Sequence, residues 1–128
     1  MKELTDAKRQ MLRDYNGLLS VMTDGFDYLE SNLNEETLEQ TDVRVFNDLL
    51  ASFEQLNKCH QQMTAIFSDN KQFSDLIEEF KEIIKLFSEC FTTTSSAEKK
   101  DLLSSKVIPA FERFKQQMEQ LVAPHITH

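Results

Sequence analysis

A chain of 128 residues, 40% of them hydrophobic, has the length and apolar content to bury its own core, and it reads as one domain over residues 1–128. Its net charge of −8 disfavours nucleic acids and anionic membrane surfaces, both of which attract clusters of lysine and arginine. Two glycines and two prolines are too few for the tight turns of a β-rich fold, so the composition predicts an all-α protein with long helices and polar loops.

The opening stretch MKELTDAKRQ contains no apolar leader, and no apolar run approaches the roughly 20 residues that span a bilayer. Cys59 and Cys90 are too few for a disulfide framework. These features give an expectation of a cytoplasmic protein with both thiols reduced.

The first helix is predicted from about Thr5 to Ser31, with Thr5 or Asp6 as its N-cap. Leu4, Met11, Tyr15, Leu18, Met22, Phe26, Leu29 and Leu33 recur at steps mostly of three and four, which is one buried stripe of a helix. Asn32, Asn34, Thr37, Thr41 and Asp42 interrupt this pattern and predict a loop. Thr41 or Asp42 is expected to cap the second helix, which runs to about Phe67. Its stripe is Phe46, Leu49, Phe53, Leu56, His60, Met63 and Phe67, and one member of that row is a histidine.

Ser68–Asn70 reads as a turn. The third helix then extends to about Phe91 and has the widest apolar face in the chain, from Phe73 to Phe91. A face that wide implies contact with two neighbours, or a surface that a homodimer buries. Ser95 and Glu98 fit a capping box ahead of the fourth helix, which reaches about Val122. Leu103, Val107, Phe111, Phe114, Met118 and Leu121 are expected to face inward. Pro109 lies inside this pattern, lacks an amide hydrogen, and predicts a kink. The tail from Ala123 is expected to fray. Four such helices joined by short loops pack as an antiparallel up-down-up-down bundle.

Chemistry is sparse. A di-iron bundle needs Glu-x-x-His pairs, and none occurs. His125 and His128 are spaced for one helical face but lie on the tail. Cys59 and His60 are adjacent, so on a helix they point about 100° apart and do not form a nucleophile–base pair. In a hairpin turning near Asp69 the two cysteines lie about 16 Å apart, too far for a disulfide. With no glycine after Gly25, a phosphate-binding loop is excluded. Lys99 and Lys100 read as solvated first-turn residues. No catalytic residue, metal or cofactor is expected.

Two features remain. His60, reflected through the predicted turns, falls level with Tyr15 and with Pro109, whose missing amide leaves the carbonyl of Ser105 without its usual donor. These four residues are expected to form a polar layer. The second feature is charge. Residues 24–54 hold nine acids, among them Asp24, Asp27, Glu30, Glu35, Glu36, Glu39, Asp42 and Asp48, against one base, Arg44. That segment therefore carries a charge equal to that of the whole chain. In an up-down bundle it lies at one end, a candidate docking surface for a basic partner. The leading expectation is a non-enzymatic adaptor or chaperone-like bundle acting through protein–protein contact. The alternative is a small-molecule- or metal-responsive bundle built on the His60 layer.

Overall fold

The computed structural model describes residues 4–33, 36–93 and 95–126. All regular structure among them is helical: α1 (Asp6–Asn32), α2 (Gln40–Phe67), α3 (Lys71–Thr92), α4 (Ser96–Leu102), a π-turn (Leu103–Val107), α5 (Ile108–Val122) and a 3-10 turn (Ala123–His125). The α4 segment, the π-turn and α5 follow one another without a break. They form one rod, and the result is a four-helix bundle.

The helix starts are set by short polar side chains at the points where backbone amides lack partners. Thr5 Oγ1 accepts the Lys8 amide at 3.1 Å, Asn70 Oδ1 the Phe73 amide at 3.0 Å, and Ser95 Oγ the Glu98 amide at 3.1 Å. Helix α2 differs from expectation. It begins at Gln40, with Glu39 as N-cap. Asp42 lies inside the first turn, where its Oδ2 accepts the Glu39 amide at 3.1 Å.

Each rod buries one face in a single core that runs from Leu12 to Val122. In α2 the whole expected stripe is buried, including His60. In α1 the expectation was partly displaced. Leu12 and Leu19 are fully buried, whereas Met11 and Leu18 pack at the margin. Neighbouring apolar residues at 11–12 and 18–19 offer two rows, and the bundle uses the second for its centre.

Helices α1 and α2 pack closely, α3 packs on α4 and α5, and α1 closes the bundle against α5. At Gly25 an added Cβ would lie 3.1 Å from Leu49 Cδ2, so the missing side chain admits the close approach of α1 to α2. The α2–α3 seam is filled by rings instead: Phe46 stacks on Phe87 at 6.0 Å, Phe53 meets Phe80 and Phe87 at 5.9 and 5.1 Å, and Phe67 stacks on Phe73 at 5.3 Å.

The break expected near Pro109 takes the form of the π-turn just before it. The Ile108 amide reaches back five residues to the Leu103 carbonyl. This widened turn keeps Leu103, Val107 and Phe111 on the core side at steps of four, where an uninterrupted α-helix would drift about 40° at each step. The tail is packed rather than frayed as far as Ile126, and His125 lies edge-on to Phe67 at 5.2 Å. His128 lies outside the described residues.

Candidate functional site

The polar layer forms from two of its four expected members. Tyr15, on α1, and His60, on α2, are both buried, and Tyr15 Oη and His60 Nε2 share a hydrogen bond of 2.6 Å. The ring of Phe80 stands perpendicular to the imidazole at 4.4 Å, and that of Phe114 lies at 6.0 Å. Ser105 and Pro109 are exposed and take no part. Each sits two residues from an inward-facing neighbour, Val107, so each points to the far side of its rod. The level differs as well as the direction: Phe114 is the residue of this rod beside His60, and Pro109 stands five residues before it, about 7.5 Å along the helix. Ser105 Oγ instead donates to the Asp101 carbonyl at 2.6 Å.

Burial holds both partners neutral. It lowers the His60 imidazole from 6.5 to about 4, because charging it inside the core forfeits hydration. It raises the Tyr15 phenol well above its ordinary value, with the neighbouring Cys59 adding to the shift. His60 Nδ1 is buried without a hydrogen-bond partner. A neutral imidazole has one donor and one acceptor nitrogen, so the layer leaves half of that capacity unused.

Outside this layer, between α1 and α2, runs an open groove of about 600 Å³, walled by Met11, Asp14, Tyr15, Leu18, Gln55 and Cys59 among others. Burial pushes the Cys59 thiol up, so it stays protonated at neutral pH and is a poor nucleophile. Cys59 and Cys90 are both free. Among the described residues no group of three or more His, Cys, Asp or Glu side chains is placed to hold a metal ion.

The second candidate is the end of the bundle where α1 finishes and α2 begins. Asp24, Asp27, Glu30, Glu36, Glu39 and Asp48 are exposed there. Glu35 lies outside the described residues. Asp42 is a correction: it is 1% exposed and spent on the α2 start, where the helix dipole favours an anion. Of the remainder, Asp24, Asp27, Glu30, Glu39 and Asp48 join no salt bridge among the described residues.

A nearby base is engaged elsewhere. Lys99, expected in solvent, is half-buried and donates to the carbonyls of Cys90 and Thr93 at 2.7 and 2.8 Å, closing the end of α3. Burial raises the Cys90 thiol to about 11, against the opposing pull of Lys99. Sequence reasoning missed the exposed apolar side chains Val21, Leu38, Val43 and Leu50, and Phe91, expected on the wide face of the third helix, is exposed too. The signal was available in the spacing of Val43 and Leu50, which are seven residues apart.

Fold and site together define a helical-bundle domain with a neutral buried Tyr–His pair and an acidic end. The chain belongs to a domain family of unknown function, DUF8042, whose model matches residues 10–117. No curated protein and no solved structure matches it. Among the described residues no helix is long and apolar enough to cross a membrane.

Proposed function

We propose that this bundle is a non-enzymatic protein-docking module, adaptor- or chaperone-like and working in the cytoplasm, and that its acidic end meets a basic surface on another protein. The observation that supports the reading is the state of Asp24, Asp27, Glu30, Glu39 and Asp48. They are exposed, without salt bridges among the described residues, and gathered at one end beside the bare side chain of Leu38. Fold stability does not account for all of them. Asp27 and Glu30 lie in the last turns of α1, where the dipole disfavours anions and no base offsets it. Contact through such charges acts chiefly on the association rate and is screened over about 8–10 Å at physiological salt.

The test compares capture by the wild-type chain with capture by a variant carrying Asp24→Asn, Asp27→Asn, Glu30→Gln and Glu36→Gln. Both are used as bait in the same lysate at low and high salt, with quantification by mass spectrometry. A genuine partner is retained by wild type at low salt, falls away at high salt, and is lost from the variant. Equal capture by both baits at both salts overturns the docking role.

The second reading, a small-molecule-responsive bundle, is favoured by the groove beside the Tyr15–His60 pair. In that reading a ligand lying between α1 and α2 changes the environment of Tyr15. A screen of small molecules that leaves Tyr15 fluorescence and the melting temperature unmoved removes it.

A further inference from the structure

Among the described residues three of the five exposed large apolar side chains lie on α2 and α3, away from the groove; Leu38 lies in the loop before α2. Phe91 is 45% exposed, Val43 41% and Leu50 36%. Val43 and Leu50 are seven residues apart, as are Ile84 and Phe91, so each pair runs along one line of its helix, because seven residues is close to two turns. Phe46 stands one turn from both Val43 and Leu50, and its ring lies 5.8 Å from that of Phe91. That contact sets the two lines side by side as one strip across the α2–α3 seam. Val21, also exposed, belongs to α1 and falls outside the strip.

The charges flanking the strip say what covers it. Glu54 follows the Val43–Leu50 line on α2, and Lys81 flanks the Ile84–Phe91 line on α3. Glu54 lies about 21 Å from the Gln40 end of α2, and Lys81 about 17 Å from the Thr92 end of α3, at 1.5 Å per residue. Those two helix ends lie at the same end of the bundle, so the acid and the base stand at nearly one level on opposite edges. Glu54 joins no salt bridge among the described residues, and Lys81 has only an exposed one to Glu78 at 3.1 Å. A partner of one sign would be attracted along one edge and repelled along the other. A second copy of this chain is attracted along both: a two-fold axis parallel to the helices lays α2 of each copy over α3 of the other and brings Glu54 opposite Lys81 twice.

We infer that the α2–α3 strip is the contact surface of a homodimer, in which Val43 and Leu50 of each copy cover Ile84 and Phe91 of the other and two Glu54–Lys81 pairs set the register. The strip starts at the acidic end, where Glu39 stands one turn before Val43, but its test rests on Leu50, Phe91, Glu54 and Lys81, none of which the acidic-end variant changes, so the two assignments are tested apart.

Sedimentation velocity and light scattering on the full chain, from about 1 μM to about 1 mM, cover weak to moderate self-association. The wild type is expected to pass from monomer to dimer within that range. Leu50→Ser with Phe91→Ser, at exposed positions and with helicity checked by circular dichroism, is expected to remain monomeric. Glu54→Lys and Lys81→Glu are each expected to weaken the dimer by roughly tenfold, since each substitution breaks two symmetric pairs, and the two together are expected to restore it. A wild type that stays monomeric throughout, whatever other protein it captures, overturns the inference. So does a dimer indifferent to all of these variants.

Discussion

Around Phe53 the core is made of phenylalanine from every rod. The Phe26 ring meets Phe53, Phe87 and Phe111 at 6.2, 5.9 and 5.0 Å, and Phe53 meets Phe111 at 6.2 Å. Two turns further along α2, around His60, the same rods enclose a hydrogen-bonded pair instead. The upper layer gains from burying area and from offset and edge-on ring contacts, and it asks for no particular partner. The lower layer binds one residue of α1 to one residue of α2, because only the Tyr15 hydroxyl meets His60 Nε2. That direction is obtained at the expense of a buried nitrogen without a partner. Volume fills the first layer, and pairing fixes the second.

The sharpest way to break the upper layer is Phe53→Ala, or Phe111→Ala. Each is expected to destabilise the fold by about 3–5 kcal/mol, since a large cavity opens among rings that cannot close over it. Urea unfolding at neutral pH measures this, and a loss below about 1 kcal/mol at both would show that the layer is looser than the ring distances imply.

Acid is the next largest perturbation, and it acts on the lower layer. In the unfolded chain His60 titrates near 6.5, in the fold near 4, so the unfolded state takes the proton first as pH falls. Its contribution is full above about 6.5, is lost progressively as pH falls towards about 4, and spans roughly 3 kcal/mol. Unfolding curves at neutral and acid pH should differ by less in Tyr15→Phe/His60→Leu, where the titrating group is gone. An equal difference in both proteins would place the acid sensitivity in carboxylates alone.

Tyr15→Phe on its own leaves His60 without its hydrogen bond, and a cost of about 1–3 kcal/mol is expected. Adding His60→Leu should recover part of that cost, because the residues form a unit and their effects are not additive. Strict additivity would mean that the 2.6 Å contact carries little energy. The smallest effect has the opposite sign. Gly17 has nothing within 4 Å of an added Cβ, so Gly17→Ala should stabilise α1 by about 0.5–1 kcal/mol in a thermal melt. Gly25→Ala, pressed against Leu49, should gain less.

Much of this arrangement is legible in the sequence, for reasons that differ from place to place. Helix α2 shows a strict alternation of three and four from Phe46 to Phe67, whereas the row of Val43 and Leu50 is broken by Asn47, Glu54 and Asn57, so its buried face, His60 included, follows from periodicity. Counting residues back through the turns places Tyr15 level with His60. Counting gives only an approximate height, with an error that grows at each turn crossed, and no direction: on the fourth rod Phe114 rather than Pro109 reaches His60, and Ser105 and Pro109 face away from the layer. The adjacent pairs Met11–Leu12 and Leu18–Leu19 satisfy the same period in two phases, and only the packing of α1 against its neighbours chooses between them. The burial of Asp42 depends on where α2 starts, and both Glu39 and Thr41 precede it within reach of a cap. Proline announces a break in the fourth rod without saying whether the helix bends, stops or widens.

The widened turn bears on how this chain tolerates changes of length. A π-turn holds one residue more than the α-turn it replaces, so the fourth rod carries a single insertion within Leu103–Val107. Along an ordinary helix, the loss of one residue swings everything beyond it by about 100° and turns the core face to solvent. Removing the exposed Ser105 does the reverse: Leu103, Val107, Phe111, Phe114 and Met118 fall into alternating steps of three and four, the frame of a plain α-helix. Pro109 obstructs that helix, so the deletion needs Pro109→Ala beside it. The shortened chain is then expected to keep the bundle, with the same residues facing inward on both sides of the cut.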